Sequence, residues 1–332
     1  MATAKRSMKV GVLAVVVLAA GVLTACGSAP KGSEKPATPV AAPTQAAGVD
    51  ATAPDGRGAV RPLPALSGCT RTATNASTAK EAMSKAAPGD KVCITGDLGN
   101  FRMKILYSGT DQAPIQVVGD GQTRLGGIDV GGSNIVVDGF TVLNGKSPEI
   151  QLGGNNITLQ NTVARNATTA GYDSLYFFGD NIKILHNTLG GDTRDPAAHP
   201  NCIETFTADA GSPPSHNVLI DGNRCENTSN ACLSATGPHA PQGTGQGQTS
   251  DITFTNNYCQ VRGTAAVQLN DVQNVTITGN QVEGPNHAWS LENHSTGAKI
   301  ADNTIAPGSK YEVGMDNTSN TGYQGPTVGG TP

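Results

Sequence analysis

The chain has 332 residues, of which 14% are charged and 4% aromatic, with 42 Gly and 20 Pro. So little charge and so much glycine exclude a coiled coil or a helical bundle. The formal net charge of -4, with no run of Lys and Arg beyond the first few residues, excludes nucleic acid as a partner, because phosphate binding needs a basic footprint.

Residues 1–25 have the build of an export signal. Lys5, Arg6 and Lys9 precede an apolar run from Val10 to Leu23 that is too short for a good spanning helix. The run ends in Leu23-Thr24-Ala25-Cys26, which resembles the lipobox of bacterial lipoproteins. That resemblance implies cleavage before Cys26 and a diacylglycerol on its sulfur. The protein is then expected outside the cell membrane, held to it by lipid and not inserted in it. Residues 26–66 carry seven prolines and no aromatic residue, cannot bury a core, and are expected to form a disordered tether. Six cysteines remain after Cys26, which suits three disulfides in an exported domain.

A folded domain is expected over 67–321. It opens with a helix beginning at Ser77 and stopped by Pro88-Gly89. Beyond it, one pattern recurs. Short alternating strands end in Asn161, Asn187, Asn223, Asn257, Asn280 and Asn303, and an earlier copy lies at Ile135–Phe140. A repeat of about 23 residues is too short for a βαβ unit and fits one coil of a parallel β-helix. The recurring Asn can form a ladder in which each amide bonds the next coil, at a turn where Asn also tolerates the left-handed conformation.

A second strand follows most copies. By alternation Leu175, Ile203, Leu233, Val267 and Trp289 point inward, and Tyr176, Glu204, Ser234, Gln268 and Ser290 form an outward row. Coils stack about 4.8 Å apart. Cys202 above Cys232 and Cys225 above Cys259 therefore fall within disulfide range, which leaves Cys69 for Cys93. Residues 322–332 read as a disordered tail. The helix followed by Pro-Gly-Asp90 and a strand is similar to the N-terminal cap of pectate-lyase-like right-handed β-helices. Ser108-Gly-Thr-Asp-Gln-Ala-Pro-Ile115 resembles a segment near the start of the chondroitinase B and alginate lyase group. The resemblance implies an all-β, right-handed parallel β-helix with a short capping helix. It spans lyases, hydrolases, epimerases and non-enzymes alike.

Chemistry is expected where the coils are longest, beside the loops at 190–200, 208–216 and 237–250. The first loop gathers Asp192, Arg194, Asp195 and His199 and leads into the strand bearing Glu204. Its end resembles a His-x-Asp-x-Ile-Gln/Glu signature of secreted bacterial β-helix proteins, with Asn201 in place of the acid. Glu204, His199 and Arg194 are the candidate catalytic residues: a proton-transfer group, and cationic partners for a uronate carboxylate. Asp173, Asp192 and Asp195 offer hard oxygen ligands that suit Ca²⁺. Tyr176, Phe178 and Phe206 offer rings for sugars to stack on, with Gln268 beside them. Gly263-Thr-Ala-Ala-Val-Gln268-Leu269 stands where the chondroitinase B group has its catalytic Arg and His, so that group's own catalytic set is missing at this stretch. Two functions stay open: β-elimination on an acidic polysaccharide by a monomeric, surface-anchored enzyme, and non-catalytic binding of carbohydrate or a structural role in the cell envelope.

Overall fold

The computed structural model describes residues 52–169, 171–191, 198–207, 213–240 and 248–332. Cys26 and the expected export signal, with Asp192, Arg194 and Asp195, lie outside the described residues. Short strands alternate in chain order among three parallel sheets of ten, eight and ten strands, here sheets A, B and C. Each coil contributes a strand to A, turns to B, then to C, and returns to A one level on. Ile157–Gln160, Val163–Arg165, Leu175–Phe178 and Ile182–Leu185 make one such circuit. All pairings are parallel, so every backbone ladder runs along the axis of a right-handed β-helix.

Inward side chains stack like on like. Ile135, Ile157 and Ile182 are register partners, and each is buried, as are Phe177, Phe254 and Trp289. Such burial is worth roughly 1.5–3 kcal/mol for each large apolar side chain. The N-terminal end is closed by the helix Ala76–Ser84. Asn75 caps it, accepting from the Thr78 backbone N–H at 3.0 Å, and Ala79, Ala82 and Met83 face the first coil.

At the A–B turn, Asn223 accepts from the backbone N–H of Asn187 at 2.8 Å, and Asn257, Asn280 and Asn303 repeat the contact one coil further each time. Asn161 departs from this. Thr162 holds the ladder position and donates its N–H to Asn187 Oδ1 at 3.0 Å. Asn161 is the left-handed residue of its turn, at φ 48°, like His186, Gly222, Asn256, Gly279 and Asp302 elsewhere. The ladder and the left-handed conformation belong to adjacent residues, not to one.

Of the two segments expected to be disordered, residues 52–66 of the first and the strand Val328–Gly330 of the second are ordered. Residues 52–66 lie along the A–B edge. Left-handed turns aim their carbonyls outward, and this segment takes them. Arg61 Nη1 donates to Asn161 O at 2.9 Å, Gly58 N to Gly222 O at 2.7 Å, and Arg57 donates from Nε to Asn256 O at 2.8 Å and from Nη2 to Gly279 O at 3.2 Å. Gly58 itself has φ +93°, and a Cβ there would lie 2.7 Å from Thr188 Oγ1. Composition reads this stretch as a tether because its binding is polar and made largely through backbone and arginine, not through a buried apolar face. At the other end, Val328–Gly330 pairs with Tyr311–Met315, and Tyr311 donates its hydroxyl to Thr331 O at 2.6 Å, so residues of the expected tail extend sheet C.

Cys69–Cys93 forms as expected. The other two bonds are Cys202–Cys225 and Cys232–Cys259, with Cα atoms 6.1 and 5.9 Å apart, in place of Cys202–Cys232 and Cys225–Cys259. The register behind that expectation is correct, since Cys225 pairs with Cys259 and Ile203 with Leu233. Stacked side chains run parallel, which keeps their sulfurs apart. Cysteines facing each other across the inside of the B–C corner point toward one another.

Candidate functional site

The row of sheet C has the register that the alternation predicts, but its last member, Ser290, is buried and not outward-facing. Tyr176 pairs with Glu204, Glu204 with Ser234, Ser234 with Gln268 and Gln268 with Ser290. Asp173 sits just before its strand. Gly171, at φ +90°, makes room there, because a Cβ at that position would lie 2.7 Å from Asp173 Oδ2. The Asp173 carboxylate accepts from the Tyr176 hydroxyl at 2.8 Å and from the Asn201 backbone N–H at 2.8 Å. The Asn201 side chain donates to Glu204 Oε2 at 3.3 Å. One residue, Asn201, thus bridges the two carboxylates. Asn230 donates to Asn201 Oδ1 at 2.8 Å, and Gln268 donates to Asn230 Oδ1 at 3.3 Å. A chain of amides therefore runs along the row, one coil after another.

Burial removes water from Glu204, and the neighbouring Asp173 charge adds to the effect, so its carboxyl is pushed up to about 7. Asp173 is also raised by burial, against the hydrogen bonds of Asn201 and Tyr176. The Tyr176 hydroxyl is raised by burial and by Asp173, so it stays protonated. Around these groups the rings of Tyr176 and Phe206 meet edge to face at 5.2 Å, and Phe178 and Phe206 do the same at 5.2 Å. Tyr176 and Phe206 are half-exposed. Phe178, expected outside, is only 5% exposed and serves as a wall for the other two.

The site therefore brings together Glu204, Asp173, Tyr176, Phe206 and Gln268 from the expected set. His199 is exposed in a left-handed turn at φ 51°, and no hydrogen bond joins it to Glu204. Asn230 was missed by the sequence reading, since its offset from the strand differs from that of Asn201 one coil earlier. Each oxygen of Asp173 accepts one hydrogen bond, and Asp192 and Asp195, the other expected Ca²⁺ ligands, lie outside the described residues. Among the described residues no cluster of three His, Cys, Asp or Glu side chains is placed to hold a metal ion, and no helix is long and apolar enough to cross a membrane.

Chemically, the row offers a carboxyl group able to exchange a proton near neutral pH beside amide donors. Each amide nitrogen carries two N–H groups and uses one of them in the contacts above. An aromatic wall flanks both.

The fold has counterparts among solved structures. A family 6 alginate lyase in complex with a trisaccharide is 16% identical, with a TM-score of 0.54 over 78% of this chain and 61% of that one. A mannuronic acid specific family 6 lyase from human gut microbiota is 14% identical, with a TM-score of 0.56 over 70% and 59%. A family 6 polysaccharide lyase from Pseudopedobacter saltans is 17% identical, with a TM-score of 0.54 over 70% and 63%. The chain spans about three fifths of the length of these lyases, and at such identity the likeness is one of fold. No curated protein matches in sequence. The family model for the right-handed β-helix region matches residues 126–305, the stretch that carries the ladder, both corner disulfides and the row around Glu204. By that match, and by three parallel sheets wound in the same sense, the chain belongs to the right-handed β-helix family.

Proposed function

We propose that the protein is an exported, lipid-anchored β-helix that cleaves an acidic polysaccharide by β-elimination on the outer face of sheet C. The observation that carries this reading is the Glu204 carboxyl, half-buried on an outward row with its pKa pushed up to about 7. A group of that kind suits proton transfer at neutral pH. Glu204 takes the proton beside the uronate carboxylate, the bond from the neighbouring ring carbon to the glycosidic oxygen breaks, and a ring double bond forms. The same carboxyl returns the proton to the departing oxygen. Free N–H groups of Asn201, Asn230 and Gln268, with Arg194 and His199 from the charged loop, neutralise the substrate carboxylate. The family 6 lyase folds named above support a polysaccharide as the partner.

The second reading, non-catalytic binding, is favoured by Gln268, which stands where related lyases carry a catalytic Arg. A panel of polyuronates and neutral glycans separates the two. β-Elimination is read as ultraviolet absorbance of unsaturated uronate ends, lost in Glu204→Gln. Reducing ends without that absorbance mean hydrolysis, and retention of a glycan with no cleavage means binding alone. Anchoring is tested by acyl-chain labelling, which Cys26→Ser should abolish.

A further inference from the structure

Beyond the Glu204 site, a cavity of about 460 Å³ opens at the N-terminal end of the β-helix, between the capping helix and the first strand of sheet C, Arg102–Ile105. It is lined by Lys80, Met83, Phe101, Lys104, Leu106 and Tyr107, with Arg102 at its edge. Leu106 is 64% and Tyr107 53% exposed, an unusual degree for large apolar side chains side by side. Arg102 spends its charge on Asp129, at 2.6 Å, and on the Pro148 carbonyl. Lys80 and Lys104 are exposed, and among the described residues no acid pairs with either.

The strand register connects this cavity to the candidate site. Lys104, Asp129, Gln151, Tyr176 and Glu204 are successive partners on one outward row. Lys104 therefore lies about 14 Å from Tyr176 and about 19 Å from Glu204 along the axis, a reach of a few sugar rings. Beside that row, Gly153 pairs with Phe178, and Gly131 stands one coil before Gly153, under Leu106. Neither glycine has a left-handed φ. At Gly153 an added Cβ would meet only Val130 O, at an ordinary 3.5 Å. Neither backbone conformation nor close packing requires glycine at 153. What its missing side chain provides is a floor without obstruction between the Leu106–Tyr107 edge and the Phe178–Phe206 wall.

We infer that this trough seats an extended anionic polysaccharide, with the cavity at the cap as a distal subsite in which Lys80 and Lys104 pair with uronate carboxylates and Leu106 and Tyr107 pack against sugar rings. The inference rests on the reading of sheet C as the polysaccharide face. It adds a second, remote contact that only a long chain can reach, so affinity depends on chain length. Arg102 neutralises Asp129, the one acid on the path from Lys104 to Tyr176, and the path is left without net repulsion for a polyanion.

The experiment measures binding of trimeric and decameric oligouronates to the full chain by calorimetry, with phosphatidylglycerol vesicles as a separate probe. The wild type should bind the decamer about tenfold more tightly than the trimer, the gain expected of a few exposed ion pairs and ring contacts. Lys80→Glu with Lys104→Glu should abolish that gain. Gly153→Leu should do the same by filling the floor without altering charge, with an unchanged circular dichroism spectrum showing that it folds. Variants that keep the decamer's advantage, or a wild type that binds both lengths equally, would overturn the distal subsite and leave the Glu204 reading standing. A wild type that binds neither length would overturn both. Vesicle binding that depends on Lys80 and Lys104, with no decamer advantage, would assign the cavity to a lipid surface instead.

Discussion

The carboxyl of Glu204 ties the proposed chemistry to stability. In the folded protein it holds its proton up to about 7, against an ordinary value of 4.5. Between those pH values the unfolded chain gives up a proton that the folded chain retains. Stability therefore falls as pH rises from about 4.5 to about 7 and is level above that, and Asp173, also raised, acts in the same sense. Glu204→Gln should abolish cleavage yet raise the Tm at pH 8 by about 2–4 °C, with no gain at pH 4. A lower Tm at pH 8 would show instead that the charge serves the fold. Through its ionised form as the base, wild-type activity should climb with a midpoint near 7. The row that holds Glu204 was legible in the sequence because alternation fixes which side chains face outward. The bridge through Asn201 was not, since it depends on a backbone N–H that pattern does not reveal. Among the buried ladder residues, Asn223 accepts two bonds from Asn187 and donates to Ile184 O. Asn223→Ala strands these partners and should cost about 3 kcal/mol. Asn303→Ala, at the half-exposed end of the ladder, should cost about 1 kcal/mol. Urea denaturation of the two variants compares them, and equal costs would mean that the ladder is not cooperative with burial.

At the level of elements, each coil is held to the next by backbone ladders on three sides, and the central coils also by two covalent bonds. Cys202–Cys225 and Cys232–Cys259 each close a loop of less than one full coil, with sequence separations of 23 and 27. Loops of that size are worth roughly 2–4 kcal/mol each. Peptide mapping without reduction should recover these two pairs with Cys69–Cys93. Cys202→Ser with Cys225→Ser should lower stability by that amount while leaving the remaining pairs intact. Recovery of Cys202 joined to Cys232 would restore the vertical pairing. The repeat showed which cysteines share a level, but the choice between neighbours in a stack and neighbours across a corner depends on the direction of Cα–Cβ bonds. Cysteine spacing alone does not carry that direction.

For the whole molecule, the segment over residues 52–66 matters most, because it spans coils from Phe140 to Gln281 through Arg61 and Arg57. Removal of residues 1–51 should leave the Tm unchanged, whereas removal of residues 1–64 should lower it by several degrees, since outward carbonyls of several coils then lose their donors. Equal Tm values for the two truncations would return the segment to the role of a tether. The sequence hid this role in a stretch rich in proline and alanine, where Asp55-Gly56-Arg57-Gly58 looks like any linker. Its position also settles a matter of aspect. In a three-sided coil, the edge between sheets A and B lies opposite the face of sheet C. The segment that carries Arg57, Gly58 and Arg61 therefore braces the coils along the edge farthest from the candidate site. The brace that holds the coils together thus takes up none of the face bearing Tyr176, Glu204 and Phe206, so that stability and recognition are served by separate sides of the same coils.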